Sequence, residues 1–162
     1  MDNDEAKILL VEDEPTIRYV AERQFKALGY VLTDVAIDGA QAVEKATKAD
    51  FDLIFMDIRM PNLDGLSATQ QLREAGNTSV IIGMTAFSHR ENCINAGMDD
   101  FLQKPVMLDQ LKNVLQKWLV EKPQRNTVGV VRIPGPNKFQ QTREQLAELE
   151  KRIHELRHRS GL

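Results

Sequence analysis

The amino-acid sequence predicts an α/β fold, a doubly wound five-stranded parallel sheet with a C-terminal helical extension, from three observations. Four short apolar runs punctuate the first hundred residues: Ile8-Leu9-Leu10-Val11, Val31-Leu32 continuing to Val35-Ala36, Leu53-Ile54-Phe55-Met56, and Val80-Ile81-Ile82. Three of the runs are continuous rather than alternating, which is the pattern of strands covered on both faces. Helical spacing fills the gaps between them, so that strand and helix alternate five times, and right-handed crossovers wind such a chain into an open sheet.

The elements follow in order. After the first run Pro15 opens a helix, on which Ile17, Val20, Ala21, Phe25 and Leu28 share one face before Gly29 stops it. Residues 39–47 form a shorter helix with Ala40, Val43 and Ala46 inward, and residues 66–75 a third with Thr69 and Leu72 inward, closed by Gly76. Residues 89–96 make a fourth helix ending at Gly97, residues 100–102 a short strand, and residues 107–119 a helix with Leu108, Leu111, Leu115 and Trp118 at helical spacing.

Residues 121–138 carry five Pro/Gly (Pro123, Gly129, Pro134, Gly135, Pro136) and read as a linker. Over 139–159, Phe139, Leu146, Leu149, Ile153 and Leu156 occupy a and d positions of a heptad frame, with Thr142 as the exception. This amphipathic helix permits a short coiled coil, and being marginal in isolation it must pack on a second copy, on the main domain or on a partner.

Charge divides the same way. The net formal charge is −3, but residues 1–120 carry −7 and residues 121–162 carry +4. An acidic main domain argues against direct nucleic-acid binding, which needs a basic surface to displace counterions. A single cysteine, Cys93, excludes a disulfide framework and reads as a small packed residue. No apolar run approaches the ~20 residues of a membrane span, and the acidic start lacks the parts of a secretory signal, so a cytoplasmic location without membrane contact is expected.

Open parallel sheets place their ligands beyond the carboxyl ends of the strands. The first strand runs into Glu12-Asp13-Glu14 and the third into Asp57, so carboxylates converge at one sheet edge. Gathered like charges call for a neutraliser, and an incomplete carboxylate set completed by water suits Mg²⁺ better than Ca²⁺. The fourth strand leads to the Thr85 hydroxyl and the fifth to the Lys104 ammonium. Taken singly, each residue has a plain structural reading: a helix N-cap for Glu12, Asp13 or Glu14, a turn for Thr85, solvated surface for Lys104.

Together these residues resemble the receiver domain of two-component response regulators, over residues 5–120. The resemblance rests on Glu12-Asp13 after the first strand, Asp57 in Met56-Asp57-Ile58-Arg59-Met60-Pro61 followed by Asp64-Gly65, Thr85-Ala86 after the fourth strand, and Lys104-Pro105 after the fifth. The stretch from Asn95 to Pro105 resembles receivers of hybrid histidine kinases and phosphorelays in particular. The resemblance implies the flavodoxin-like receiver fold and a phosphoacceptor role for Asp57, supplied by a phosphohistidine of a partner histidine kinase or histidine phosphotransfer protein. It implies Mg²⁺ bound by Asp13, Asp57 and the Arg59 backbone carbonyl, with Glu12 acting through water. Lys104 and Thr85 would contact the phosphoryl oxygens, and the bond to Pro105 would be cis. Thr85 and Phe101 would form the switch, Phe standing where Tyr is usual; the same Phe101 also reads simply as core. Arg59, Ala86 and Phe87 would tune the phosphoryl lifetime.

A single-domain, phosphorylation-dependent protein–protein switch is therefore expected, with a downstream protein target and a C-terminal helix for partner contact or homodimer formation. The alternative is a scaffold or pseudo-receiver assembled through that helix. A haloacid-dehalogenase-type phosphatase would want a second Asp where Arg59 stands, and an FMN carrier would want a phosphate loop where Glu12-Asp13-Glu14 would repel phosphate.

Overall fold

In the computed structural model, which describes residues 6–86 and 90–122, strand and helix alternate throughout. The elements are β1 (Ile8–Val11), α1 (Pro15–Ala27), β2 (Asp34–Ala36), α2 (Gly39–Lys48), β3 (Leu53–Asp57), α3 (Gly65–Glu74), β4 (Val80–Thr85), α4 (Arg90–Ala96), β5 (Asp100–Gln103) and α5 (Leu108–Leu115), which continues as a π-helical turn, Gln116–Glu121. All five strands pair in parallel, in the order β2-β1-β3-β4-β5. The doubly wound sheet is thus the flavodoxin-like one expected. The expected linker and terminal helix lie outside the described residues, apart from Glu121 and Lys122.

The period of a strand divides the core in two. Leu9, Val11, Ile54, Met56 and Ile81 face the side closed by Ala42, Ala46, Ala68, Leu72 and Cys93. Ile8, Leu10, Leu53, Phe55, Ile82 and Met84 face the side closed by Phe25, Leu111, Val114 and Leu115. Because both faces are covered, every residue of β1 and β3 is buried, and the runs need not alternate. Phe25 meets Phe55 edge to face, ring centroids 5.1 Å apart, joining α1 to the middle of the sheet.

Acidic caps start three helices: Glu14 accepts from Thr16 N, Asp38 from Gln41 N and Asp64 from Ser67 N. At the other ends Gly29, Gly76 and Gly97 take φ of 81°, 83° and 101°, the left-handed turn that closes α1, α3 and α4. Gly83 on β4 serves packing instead: a Cβ there would lie 2.6 Å from Met98 Sδ and 3.2 Å from Cys93 Sγ. Gly83→Ala is expected to destabilise the fold by about 1–2 kcal/mol through overpacking, as read by urea unfolding.

Several helical faces differ from their periodicity. Ile17 and Val20 on α1, and Leu108 on α5, are exposed rather than inward. Ile17 and Val20 line a groove of 430 Å³ between α1 and the Lys104–Val106 turn. On α2, Ala42 is buried and Ala40 is exposed: the helix begins at Gly39 as expected, but its inward stripe runs through Gly39, Ala42 and Ala46. Val31 and Leu32 precede the second strand instead of belonging to it; Val31 is 63% exposed, and β2 is an edge strand of three residues. No helix among the described residues is long and apolar enough to cross a membrane.

Candidate functional site

Parallel pairing brings the carboxyl ends of all the strands to one edge, and the strand order reverses between β1 and β3. There β1 passes directly into Glu12-Asp13, β3 ends on Asp57, β4 ends on Thr85 and β5 passes directly into Lys104. Glu12 is 1% and Asp57 5% exposed, and Thr85 is buried, while Asp13 is more open. One carboxylate oxygen each from Glu12, Asp13 and Asp57 lie within 4.8 Å of one another.

The third acid of the first turn is diverted. Glu14 caps α1, whereas Glu12 Oε1 accepts from Glu14 N at 3.2 Å and Glu12 Oε2 accepts from Lys104 Nζ at 2.6 Å. Lys104 Nζ also lies 3.1 Å from Asp57 Oδ2, so one ammonium bridges two buried carboxylates. Its backbone N donates to Thr85 O at 2.7 Å, and the Lys104–Pro105 peptide is cis. On Asp57, Oδ1 accepts from Arg59 N at 3.3 Å.

The balance of charge here is negative. Burial, and for Glu12 the neighbouring Asp57 charge, push the Asp57 and Glu12 carboxyls above their ordinary range in spite of Lys104. Burial pulls the Lys104 ammonium down, but the hydrogen bond to Glu12 and the charge of Asp57 outweigh it, and the net direction is up. One cation against three carboxylates leaves a deficit of positive charge that a hard, oxygen-seeking divalent cation matches. A cleft of 620 Å³, lined by Asp13, Arg59, Asp64, Ser67 and Gln70 among others, opens onto this cluster.

Glu12, Asp13, Asp57 and Lys104 are therefore gathered at the edge to which β4 also delivers Thr85. Arg59 is exposed beside them, with Ala86 exposed just past β4. Phe101 stands apart, half-buried against the α3/α4 side of the core, with the Arg90 guanidinium 5.7 Å from its ring centroid. Phe87 lies outside the described residues.

One supporting residue escapes a reading of motifs. Arg18 Nη1 donates to Glu12 O at 2.8 Å and Asp13 O at 2.7 Å, pinning the acidic turn from α1. Its only signal in the sequence is a basic residue one helical turn beyond the acidic run. Gly65 seats α3 against β3, where an added Cβ would fall 2.0 Å from the Asp57 carbonyl oxygen.

Comparison with known proteins agrees with this arrangement. Residues 8–116 match the response regulator receiver domain. Over 117 residues the chain is 39% identical to sensor histidine kinase RcsC of Escherichia coli K12, covering 70% of this chain and 12% of the relative. It is 42% identical over 113 residues to sensor protein EvgS of Escherichia coli O157:H7, covering 68% and 9%. The chain thus spans about a tenth of the length of these relatives. Among solved structures, the receiver domain of sensor histidine kinase PA1611 from Pseudomonas aeruginosa PAO1, which has a magnesium ion coordinated in its active site cleft, superposes with a TM-score of 0.63 at 42% identity, over 70% of this chain and 97% of that one. With the fold, the acidic edge and the matched residues in agreement, this chain belongs to the response regulator receiver domain family.

Proposed function

We propose that Asp57 accepts a phosphoryl group from a phosphohistidine of a partner histidine kinase or histidine phosphotransfer protein, in a Mg²⁺-dependent reaction. The observation that carries this reading is a buried carboxylate set between two further carboxylates and one ammonium, beside an open cleft. The donor set is all hard oxygen and incomplete, which fits Mg²⁺. Asp13, Asp57 and the Arg59 carbonyl would hold the ion, with Glu12 acting through water. When bound, Mg²⁺ offsets negative charge on the phosphoryl oxygens.

The remaining work falls to the chain. An Asp57 carboxylate oxygen forms the new bond to phosphorus as the phosphorus–nitrogen bond of the donor breaks, its electron pair staying on the imidazole. Lys104, already against Asp57, pairs with a phosphoryl oxygen as a point charge, and Thr85 donates a hydrogen bond to another. The added charge draws Thr85 inward and lets Phe101 repack, presenting an altered face to a downstream protein. Arg59, Ala86 and Phe87 set the lifetime of the acyl phosphate.

In this reading residues 5–120 are the receiver, residues 121–138 a linker, and residues 139–159 a helix for partner contact or a homodimer, in the cytoplasm. The chain is a signalling protein, whose only turnover is its own phosphorylation and dephosphorylation. Intact-mass spectrometry of the full chain with acetyl phosphate tests this. One phosphoryl adduct is expected with Mg²⁺ present, and none with Mg²⁺ removed or in Asp57→Ala. An unmodified wild-type chain would leave the scaffold reading in its place.

A further inference from the structure

The loop from Ile58 to Asp64 presents the Arg59 carbonyl, the one backbone ligand in the cation site proposed above. Most of its residues are exposed. Its shape comes from ties at both ends and in the middle: Gly65 N donates to Ile58 O at 2.9 Å, and Leu63 N to Pro61 O at 2.8 Å. Two further ties reach it from α2, an element that supplies no atom to the acidic cluster. Gly39 N donates to Leu63 O at 3.0 Å, and Asn62 Nδ2 donates to Asp38 Oδ2 at 3.0 Å.

Each partner suits a clamp. Asn62 has φ 66°, in the left-handed region that Asn tolerates better than other side chains. Asp38 is 8% exposed, and its other oxygen accepts from Gln41 N at 2.8 Å. These bonds, from Gln41 first and Asn62 second, hold its carboxyl below the usual range, so the acceptor is an ionised one. At Gly39 an added Cβ would fall 2.3 Å from Leu63 O, so backbone meets backbone with no room between.

The geometry points to Asn62, clamped by Asp38, as a positioning residue for the cation site, fixing the backbone from which the Arg59 carbonyl is presented and so setting Mg²⁺ affinity. Mg²⁺ demands near-octahedral oxygens at about 2.0–2.1 Å, and a carbonyl cannot swing to meet the ion as a side-chain carboxylate can. Residues that orient ligands without touching the metal shift affinity by about tenfold or more in other sites. The inference rests on the cation site of the preceding section, and its test separates the two.

Mg²⁺ is titrated into the unphosphorylated full chain and followed by backbone amide shifts. Asn62→Ala is expected to raise the dissociation constant three- to tenfold. Asp38→Ser, which keeps the cap on α2 but is too short to reach Asn62, is expected to do the same. Asn62→Gly keeps the left-handed turn and guards against misfolding; having lost the amide bond, it too binds Mg²⁺ more weakly. In phosphoryl uptake from acetyl phosphate the half-saturating Mg²⁺ concentration rises while the maximal rate holds, a split that general loosening of the fold would not produce. Asp13→Asn serves as the control. If it weakens Mg²⁺ binding and the Asn62 variants do not, the positioning role is overturned. If Asp13→Asn also leaves binding unchanged, the cation site itself is wrong.

Discussion

Lys104→Met is expected to lower the unfolding free energy of the metal-free protein by about 3 kcal/mol at pH 8, because breaking a buried ion pair leaves an uncompensated charge behind. The side chain is 18% exposed and contacts both Glu12 and Asp57, so its loss leaves two buried carboxylates. Both carboxyls are already raised by burial with the ammonium in place, and they rise further without it. An acid whose folded pKa lies above its unfolded value binds more protons when folded. Its ionisation penalty is absent below the unfolded pKa and grows as pH rises through the folded one. The gap between wild type and variant should therefore be wider at pH 8 than at pH 5, and Mg²⁺ should narrow it. Urea unfolding at both pH values reads this directly. Equal gaps would assign the loss to the shape of Met and not to charge.

Asp57→Asn should act in two opposed directions. Phosphoryl uptake from acetyl phosphate falls to background, since the amide oxygen is no nucleophile at phosphorus. The metal-free fold, in contrast, gains about 1–2 kcal/mol, because the variant keeps the volume and removes one of the like charges whose burial is costly. Asp57 lies within 4.8 Å of both other carboxylates, so the relief is shared by Glu12 and Asp13. Ligand that binds the folded state stabilises it in proportion to its affinity, so added Mg²⁺ should raise the wild-type melting temperature more than that of the variant. A variant that melts lower than wild type in the absence of metal would show that the lost ion pair with Lys104, whose Nζ lies 3.1 Å from Asp57 Oδ2, outweighs the repulsion.

The strands were legible because a buried parallel strand needs an unbroken apolar run, and Ile8-Leu9-Leu10-Val11 and Leu53-Ile54-Phe55-Met56 are such runs with helical spacing between them. The acidic edge was legible because parallel pairing forces the residues after β1, β3, β4 and β5 to a common edge whatever the packing details. Helical faces were read less well. Periodicity marks an apolar stripe on α1, yet only the third dimension says that Phe25 from that stripe reaches the core while Ile17 and Val20 face a groove.

By itself, then, the amino-acid sequence determined the order of elements, the parallel sheet and which chemistry-bearing residues share its edge, since these follow from local patterning and strand direction. Only the tertiary structure decided that Lys104 bridges Glu12 and Asp57, that Arg18 pins the acidic turn, and that Asn62 is clamped by Asp38. Lys104 and Glu12 are 92 positions apart, and Asn62 and Asp38 are 24 apart. Contacts between distant positions are set by how helices lie across the sheet, a consequence of side-chain volume and close packing that no spacing along the chain encodes.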